Sequence, residues 1–213
     1  MTTSRSDKVL LGAAAVLAFG YLMTGFGLPI GYPAIVGLKS SGILLLAVYA
    51  LRSRSILLGL ALVASAIGDA MLALQPAQMT LGMAAFGIAH ILYGWLFFQI
   101  IRSDGFRGPL GVVLACVLGA FGGAMLVTLL PGMGELTVPA SIYNVIIMLM
   151  AILAAVSKAR WLAVAGAILF VASDSLIAMD LFMGQNPAWR GPTVWVTYVA
   201  AQFCLAIGLL RRA

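Results

Sequence analysis

Ser55-Ile-Leu-Leu-Gly-Leu-Ala-Leu-Val-Ala-Ser-Ala-Ile-Gly-Asp-Ala-Met-Leu-Ala-Leu74 is the stretch that decides the fold. It holds one charge, Asp69, and is bounded by Arg52 and Arg54 before it and Gln75-Pro76 after it. At 1.5 Å per residue a helix of this length spans ~30 Å, the hydrocarbon thickness of a bilayer. Its apolar residues do not alternate with period two as barrel strands do, and they leave no polar face for water. Lipid cannot satisfy free backbone N–H and C=O groups, so such a segment crosses as a helix.

The rest of the chain repeats the pattern. Hydrophobic residues make up 63% of the 213 positions and charged residues 8%, against roughly 25% charged in a soluble domain. Such a composition cannot cover itself with polar surface in water. Apolar blocks place spans near 9–26, 32–51, 55–74, 79–101, 109–130, 137–157, 161–183 and 192–210, in one polytopic membrane domain over 1–213. Turn chemistry separates them: Leu28-Pro29-Ile30-Gly31, Gln75-Pro76, Gly108-Pro109, Pro131-Gly132 and Asn186-Pro187.

Charge tests the count. Eight spans send Arg5, Lys8, Arg52, Arg54, Arg102, Arg107, Lys158, Arg160, Arg211 and Arg212 to one side, and Lys39 and Arg190 to the other. An excess of basic residues marks the cytoplasmic side, which puts both termini there. An error of one span would scramble the partition. Met1 to Gly27 also has the outline of a signal peptide, but no small-residue cleavage site precedes the next block, so it reads as the first helix. The net charge of +6 lies between apolar blocks rather than on one face, which argues against nucleic-acid binding. Cys116 and Cys204 lie inside apolar runs and read as small buried residues, without a disulfide framework. Gly119-Ala-Phe-Gly-Gly123 has the small-xxx-small spacing that joins helices, either within the chain or across a homodimer.

Ionisable groups inside a membrane are expensive and mark function by default; the alternative is that they bond neighbouring helices together. Asp69 lies 15 residues beyond Arg54, and Asp174 lies 14 beyond Arg160. Asn144 is 14 residues before Lys158, Tyr198 is 13 before Arg211, Lys39 is 13 before Arg52, and His90 is 12 before Arg102. All six fall at ~18–23 Å from the basic side, on six different helices. A common polar chamber in the outer half of the bilayer is the simplest account. Ser65 shares a face with Asp69, Gln202 with Tyr198, and Tyr93 with His90. Ser173 points away from Asp174 as a packing residue, and Asp180 reads as a solvated rim residue. Lys39 either snorkels outward or serves as counter-ion to a carboxylate. A weak repeat, D-x-x-[L/I]-A at Asp69 and Asp174, also relates Lys39 to Asn144 and Tyr93 to Tyr198 at an offset of 105, which suggests two four-helix halves.

One histidine is too few for a catalytic zinc site, and no metal is expected. No nucleophile elbow accompanies a serine. Paired carboxylates remain. In a low-dielectric site two close acids do not both ionise easily, which supplies a general acid and a general base together. That pairing suits acid-catalysed cleavage of an ether-like bond through an oxocarbenium ion, and it suits proton-coupled transport of a small molecule or lipid equally well. A receptor or assembly factor would leave the depth-matched set unexplained.

Leu62-Val-Ala-Ser-Ala-Ile-Gly-Asp-Ala-Met-Leu72, Ala89-His-Ile-Leu-Tyr93, Phe170-Val-Ala-Ser-Asp-Ser-Leu-Ile-Ala178 and Tyr198-Val-Ala-Ala-Gln202 resemble the YhhN family of membrane lysoplasmalogenases in order, spacing and span number. The family's Lys-Pro in the second span is Lys39-Ser40 here. The resemblance implies an eight-span membrane hydrolase with no metal or organic cofactor, in the cytoplasmic membrane if the source is bacterial. Members cleave the vinyl ether of lysoplasmalogens to a fatty aldehyde and a glycerophosphoethanolamine or glycerophosphocholine. On that reading Asp69 and Asp174 divide the acid and base roles. His90, Tyr93, Asn144 and Tyr198 orient them or the water, with Ser65 and Gln202 in support, and Lys39 biases one carboxyl or contacts the phosphate. The lysophospholipid is the partner, and an apolar groove takes its chain.

Overall fold

The computed structural model describes residues 4–184 and 187–210. Within them lie eight helices: α1 (Arg5–Thr24), α2 (Ala34–Arg52), α3 (Ile56–Ala73), α4 (Met79–Asp104), α5 (Pro109–Leu129), α6 (Thr137–Val156), α7 (Trp161–Met183) and α8 (Arg190–Leu209). Two short 3₁₀ turns, Leu130–Gly132 and Gly134–Leu136, join α5 to α6. All eight helices are long and apolar enough to cross a membrane. Asn186, Arg211 and Arg212, which entered the turn and charge readings, lie outside the described residues.

Local chemistry sets the helix ends. Ser4 and Asp7 form a reciprocal capping box, with Asp7 N–H donating to Ser4 Oγ at 3.1 Å and Ser4 N–H donating to Asp7 Oδ2 at 3.0 Å. This starts α1 at Arg5 rather than at residue 9, because the cap, not the lipid boundary, fixes where backbone hydrogen bonding begins. The same reason carries α4 to Asp104, past its apolar run, until Gly105 turns the chain at φ 84°. Pro109 opens α5 at a position whose N–H needs no partner. Gly184 closes α7 in the left-handed region at φ 64°, its N–H donating to Asp180 C=O.

The outward faces are as apolar as the interior. Val16, Leu60, Ile67, Ile88, Val117 and Leu149 are among the exposed large side chains, a surface suited to hydrocarbon rather than water. Association inside a bilayer therefore relies on close fit. α2 meets α1 where Gly42 lies against Ala14 and Ala18. α7 and α8 form the tightest seam, Gly166 against Ala201 and Leu205, and Gly208 against Ala163. Trp195 Nε1–H donates to Ala18 C=O at 2.8 Å and ties α8 to α1.

Neighbours in space are not always neighbours in sequence. α4 packs on α3 and α6, while α5 rests on α6 and only lightly on α7. Consecutive α4 and α5 are not extensive packing partners, and the α6–α7 contact is thinner than the α7–α8 seam. A gap bounded by α4, α5, α6 and α7 follows from this layout. On the basic side, Arg107 clamps the turn between α6 and α7: its Nε–H donates to Ser157 C=O at 2.9 Å, a terminal N–H donates to Ala159 C=O, and its guanidinium stacks 3.8 Å from the centre of the Trp161 ring.

One expectation changes. Cys116 faces outward from α5 and Cys204 is half-buried, both as free thiols. An apolar run identifies the solvent of a segment and not its buried face, because lipid accepts what a core accepts. In the small-residue segment of α5, Gly122 packs within the chain against Met148, whereas Gly119 and Gly123 are exposed.

Candidate active site

α7 brings Asp174 to the gap between α4 and α6. There an apolar groove is bounded by methionine and leucine side chains, including Met79, Met83, Met125, Leu126 and Met133, together with Phe86 and Val171. Asp174, Tyr143 and Asn144 supply its main polar groups. The Asp174 side chain keeps 14% exposure in this largely hydrocarbon wall. Tyr143 Oη–H donates to Asp174 Oδ2. His90, fully buried on α4, places Nε2 2.9 Å from Tyr143 Oη and 3.5 Å from Asp174 Oδ2. With the tyrosine hydrogen given to Asp174, Oη accepts from His90, so the proton belongs on Nε2. Nδ1 is buried without a partner, a lesser penalty for a bare acceptor than for an N–H.

Asp69 lies outside the groove but within electrostatic reach of Asp174. Its side chain is 2% exposed, does not line the groove, and accepts from Tyr198 Oη–H at 2.6 Å. Lys39 faces inward rather than snorkelling. Its ammonium lies 5.7 Å from the centre of the Tyr21 ring and interacts electrostatically with Asp69, without an ion pair inside 4 Å. A third polar pair, Tyr93 Oη–H donating to Gln202 Oε1 at 2.7 Å, is fully buried. Ser65 Oγ lies beside Tyr93 and Gln202 lies beside Tyr198 as well, though neither Ser65 Oγ nor Gln202 Nε2 makes a hydrogen bond of ordinary geometry.

The depth-matched residues therefore form linked groups rather than one open chamber. Phe170 joins them, its ring 4.5 Å from His90 and 5.4 Å from Tyr198, with Phe86 edge-on to both Phe170 and Tyr198. Asn144 lines the groove, but its amide donates to Gly122 C=O at 3.3 Å and anchors α5. Ser173 bonds Val194 C=O across the seam at 3.0 Å, the packing role expected of it. Asp180 lies at the rim and faces Arg190 at 3.7 Å. Tyr143 was missed by the sequence reading. It lies 15 residues before Lys158, ~22 Å along the helix, so the depth criterion applied to it equally. Among the described residues no three His, Cys, Asp or Glu side chains gather as a metal site.

A model of the YhhN family matches residues 35–209, the region that holds Asp69, Asp174 and the side chains bonded to them. The chain belongs to the YhhN family. This YhhN protein is 38% identical to human lysoplasmalogenase TMEM86B over 157 residues, 71% of the chain and 62% of that relative. It is 32% identical to a lysoplasmalogenase of Mycobacterium tuberculosis over 155 residues, 70% of the chain and 58% of the relative. Bovine lysoplasmalogenase TMEM86A matches at 35% over 161 residues, 70% of the chain and 63% of the relative. The matches thus span about three-fifths of the length of these curated relatives. No solved structure matches the YhhN chain.

Proposed function

We propose that this YhhN protein hydrolyses the vinyl ether bond of a lysoplasmalogen, releasing a fatty aldehyde and a glycerophosphoethanolamine or glycerophosphocholine. The observation that carries the reading is a carboxyl group, Asp174, set in the wall of a largely apolar groove and held there by Tyr143. One groove suits one hydrocarbon chain, as in a lysolipid. The relatives named lysoplasmalogenases support the hydrolase over a transporter.

The chemistry asks for little besides an acid, a base and water. Protonating the alkene carbon distant from oxygen gives an oxocarbenium ion. Water attacks that ion, and the resulting hemiacetal collapses to aldehyde and alcohol. A carboxyl group inside the membrane can supply the proton and take one back, and a wall of low polarity keeps bulk water from competing. The bias of basic residues toward one side supports cytoplasmic termini. Two four-helix halves are supported by the pairing within each: α1 packs on α2 and α3 on α4, as α5 packs on α6 and α7 on α8.

The test uses purified protein in detergent with a lysoplasmenylcholine. Aldehyde is the expected product, and in D₂O it should carry one solvent deuterium on the carbon next to the carbonyl. Gradient-driven uptake into proteoliposomes without aldehyde would refute the hydrolase reading.

A further inference from the structure

We propose that a single carboxyl group, Asp174, performs both proton transfers, that Tyr143 and His90 position it, and that Asp69 does not touch the substrate. This rests on the hydrolase reading and gives that site an order of events.

The two oxygens of Asp174 are not equivalent. Oδ2 accepts from Tyr143, with His90 Nε2 3.5 Å away. Oδ1 accepts no hydrogen bond among the described residues, and the side chain borders the groove. Oδ1 is therefore the oxygen free to carry a proton to a bound chain. Asp69 shares the first feature, since Tyr198 donates to its Oδ2 alone, but lacks the second: it is sealed in the protein and absent from the groove wall.

The cycle balances with this one group. Oδ1–H passes its proton to the alkene carbon, whose π electrons form the new C–H bond, and Asp174 becomes a carboxylate beside the oxocarbenium ion. Tyr143 Oη–H donates to Oδ2 throughout and steadies that charge. Water adds its oxygen to the cationic carbon and gives its proton to Oδ1, which restores the acid. The hemiacetal then breaks its C–O bond to the glycerol oxygen, which takes the hydroxyl proton. One water is consumed, and no second carboxyl is needed. His90 acts through Tyr143: its Nε2–H is donated to Oη and turns the hydroxyl hydrogen toward Asp174.

Steady-state aldehyde release from a lysoplasmenylcholine is measured for wild type, Asp174→Asn, Asp69→Asn, Tyr143→Phe and His90→Gln, with folding of each variant checked by thermal unfolding. Asp174→Asn should lose ~10²–10⁴-fold, the range of a general acid–base group. Asp69→Asn should keep turnover within about tenfold, because its carboxyl does not line the groove and acts on Asp174 only electrostatically, without contact. Tyr143→Phe should lower kcat with KM for the lipid unchanged and a larger solvent deuterium isotope effect, a signature that a packing role alone would not give. His90→Gln should show the same split more weakly. If Asp69→Asn does not fold, Lys39→Met and Tyr198→Phe probe the same group and should keep turnover. A folded Asp69→Asn as inactive as Asp174→Asn, or a Tyr143→Phe that raises KM at constant kcat, would overturn the assignment while leaving the hydrolase reading standing. Absence of aldehyde from the wild type would remove both.

Discussion

Replacing Gly208 by alanine tests whether the α7–α8 seam is as tight as its geometry requires. A methyl group on Gly208 would lie 2.5 Å from Ala163 N and 2.8 Å from both its Cα and Cβ. Carbon atoms in ordinary contact are ~3.5–4.0 Å apart, so the carbon contacts fall short by ~0.7–1.2 Å. The obstructing atoms include backbone, so no rotamer change relieves them and the helices must part by about 1 Å. Overpacking of this kind costs ~1–3 kcal/mol; ~2 kcal/mol is roughly 30-fold in the folding equilibrium. The seam also carries Ser173 on Val194 and faces Tyr198 toward Asp69, so parted helices would reach the polar groups as well. Unfolding is followed by tryptophan fluorescence as SDS replaces mild detergent in mixed micelles. Gly208→Ala should unfold at a lower SDS fraction than wild type. Gly12→Ala and Gly123→Ala, with no atom within 4 Å of the added methyl, should be neutral or stabilised by up to ~1 kcal/mol through helix propensity. Equal unfolding points for Gly208→Ala and wild type would refute the argument from close approach.

Tyr198→Phe deletes the hydroxyl that donates to buried Asp69 and should cost ~1–3 kcal/mol of stability in the same assay, with aldehyde release kept within about tenfold. Ala140→Trp fills the groove wall one helical turn from Tyr143. It should raise KM for long-chain lysoplasmenyl lipids by ~10–100-fold, the equivalent of ~1–3 kcal/mol of overpacking, and spare short-chain analogues. Equal losses for short and long chains would place the hydrocarbon chain elsewhere.

The spans were legible because hydropathy and turn chemistry act locally. Gln75-Pro76 after α3 and Gly108-Pro109 before α5 mark ends that the structure reproduces within a residue. The larger displacements, at Arg5 and Asp104, occur where a cap or a polar helical turn extends beyond the apolar run. Among candidate residues, counting along a helix fixes depth but not direction. Asn144 and Tyr143 differ by one residue and about 100° of rotation: Asn144 reaches back to Gly122, and Tyr143 reaches Asp174. Depth also could not separate Asp69 from Asp174, since the packing of Phe86 and Phe170 among His90 and Tyr198 depends on side chains from three helices.

By itself the sequence determined that this chain lives in a bilayer, crosses it with eight apolar helices and carries two carboxylates within them. These are properties of short segments and of the cost of taking charge into hydrocarbon. Only the tertiary structure decided that the acids have different surroundings. α4 packs against α6 rather than α5, which opens a groove beside Asp174, while Asp69 is sealed with Tyr198. That difference arises from which helices touch, and helix contact in lipid turns on close steric fit between distant parts of the chain.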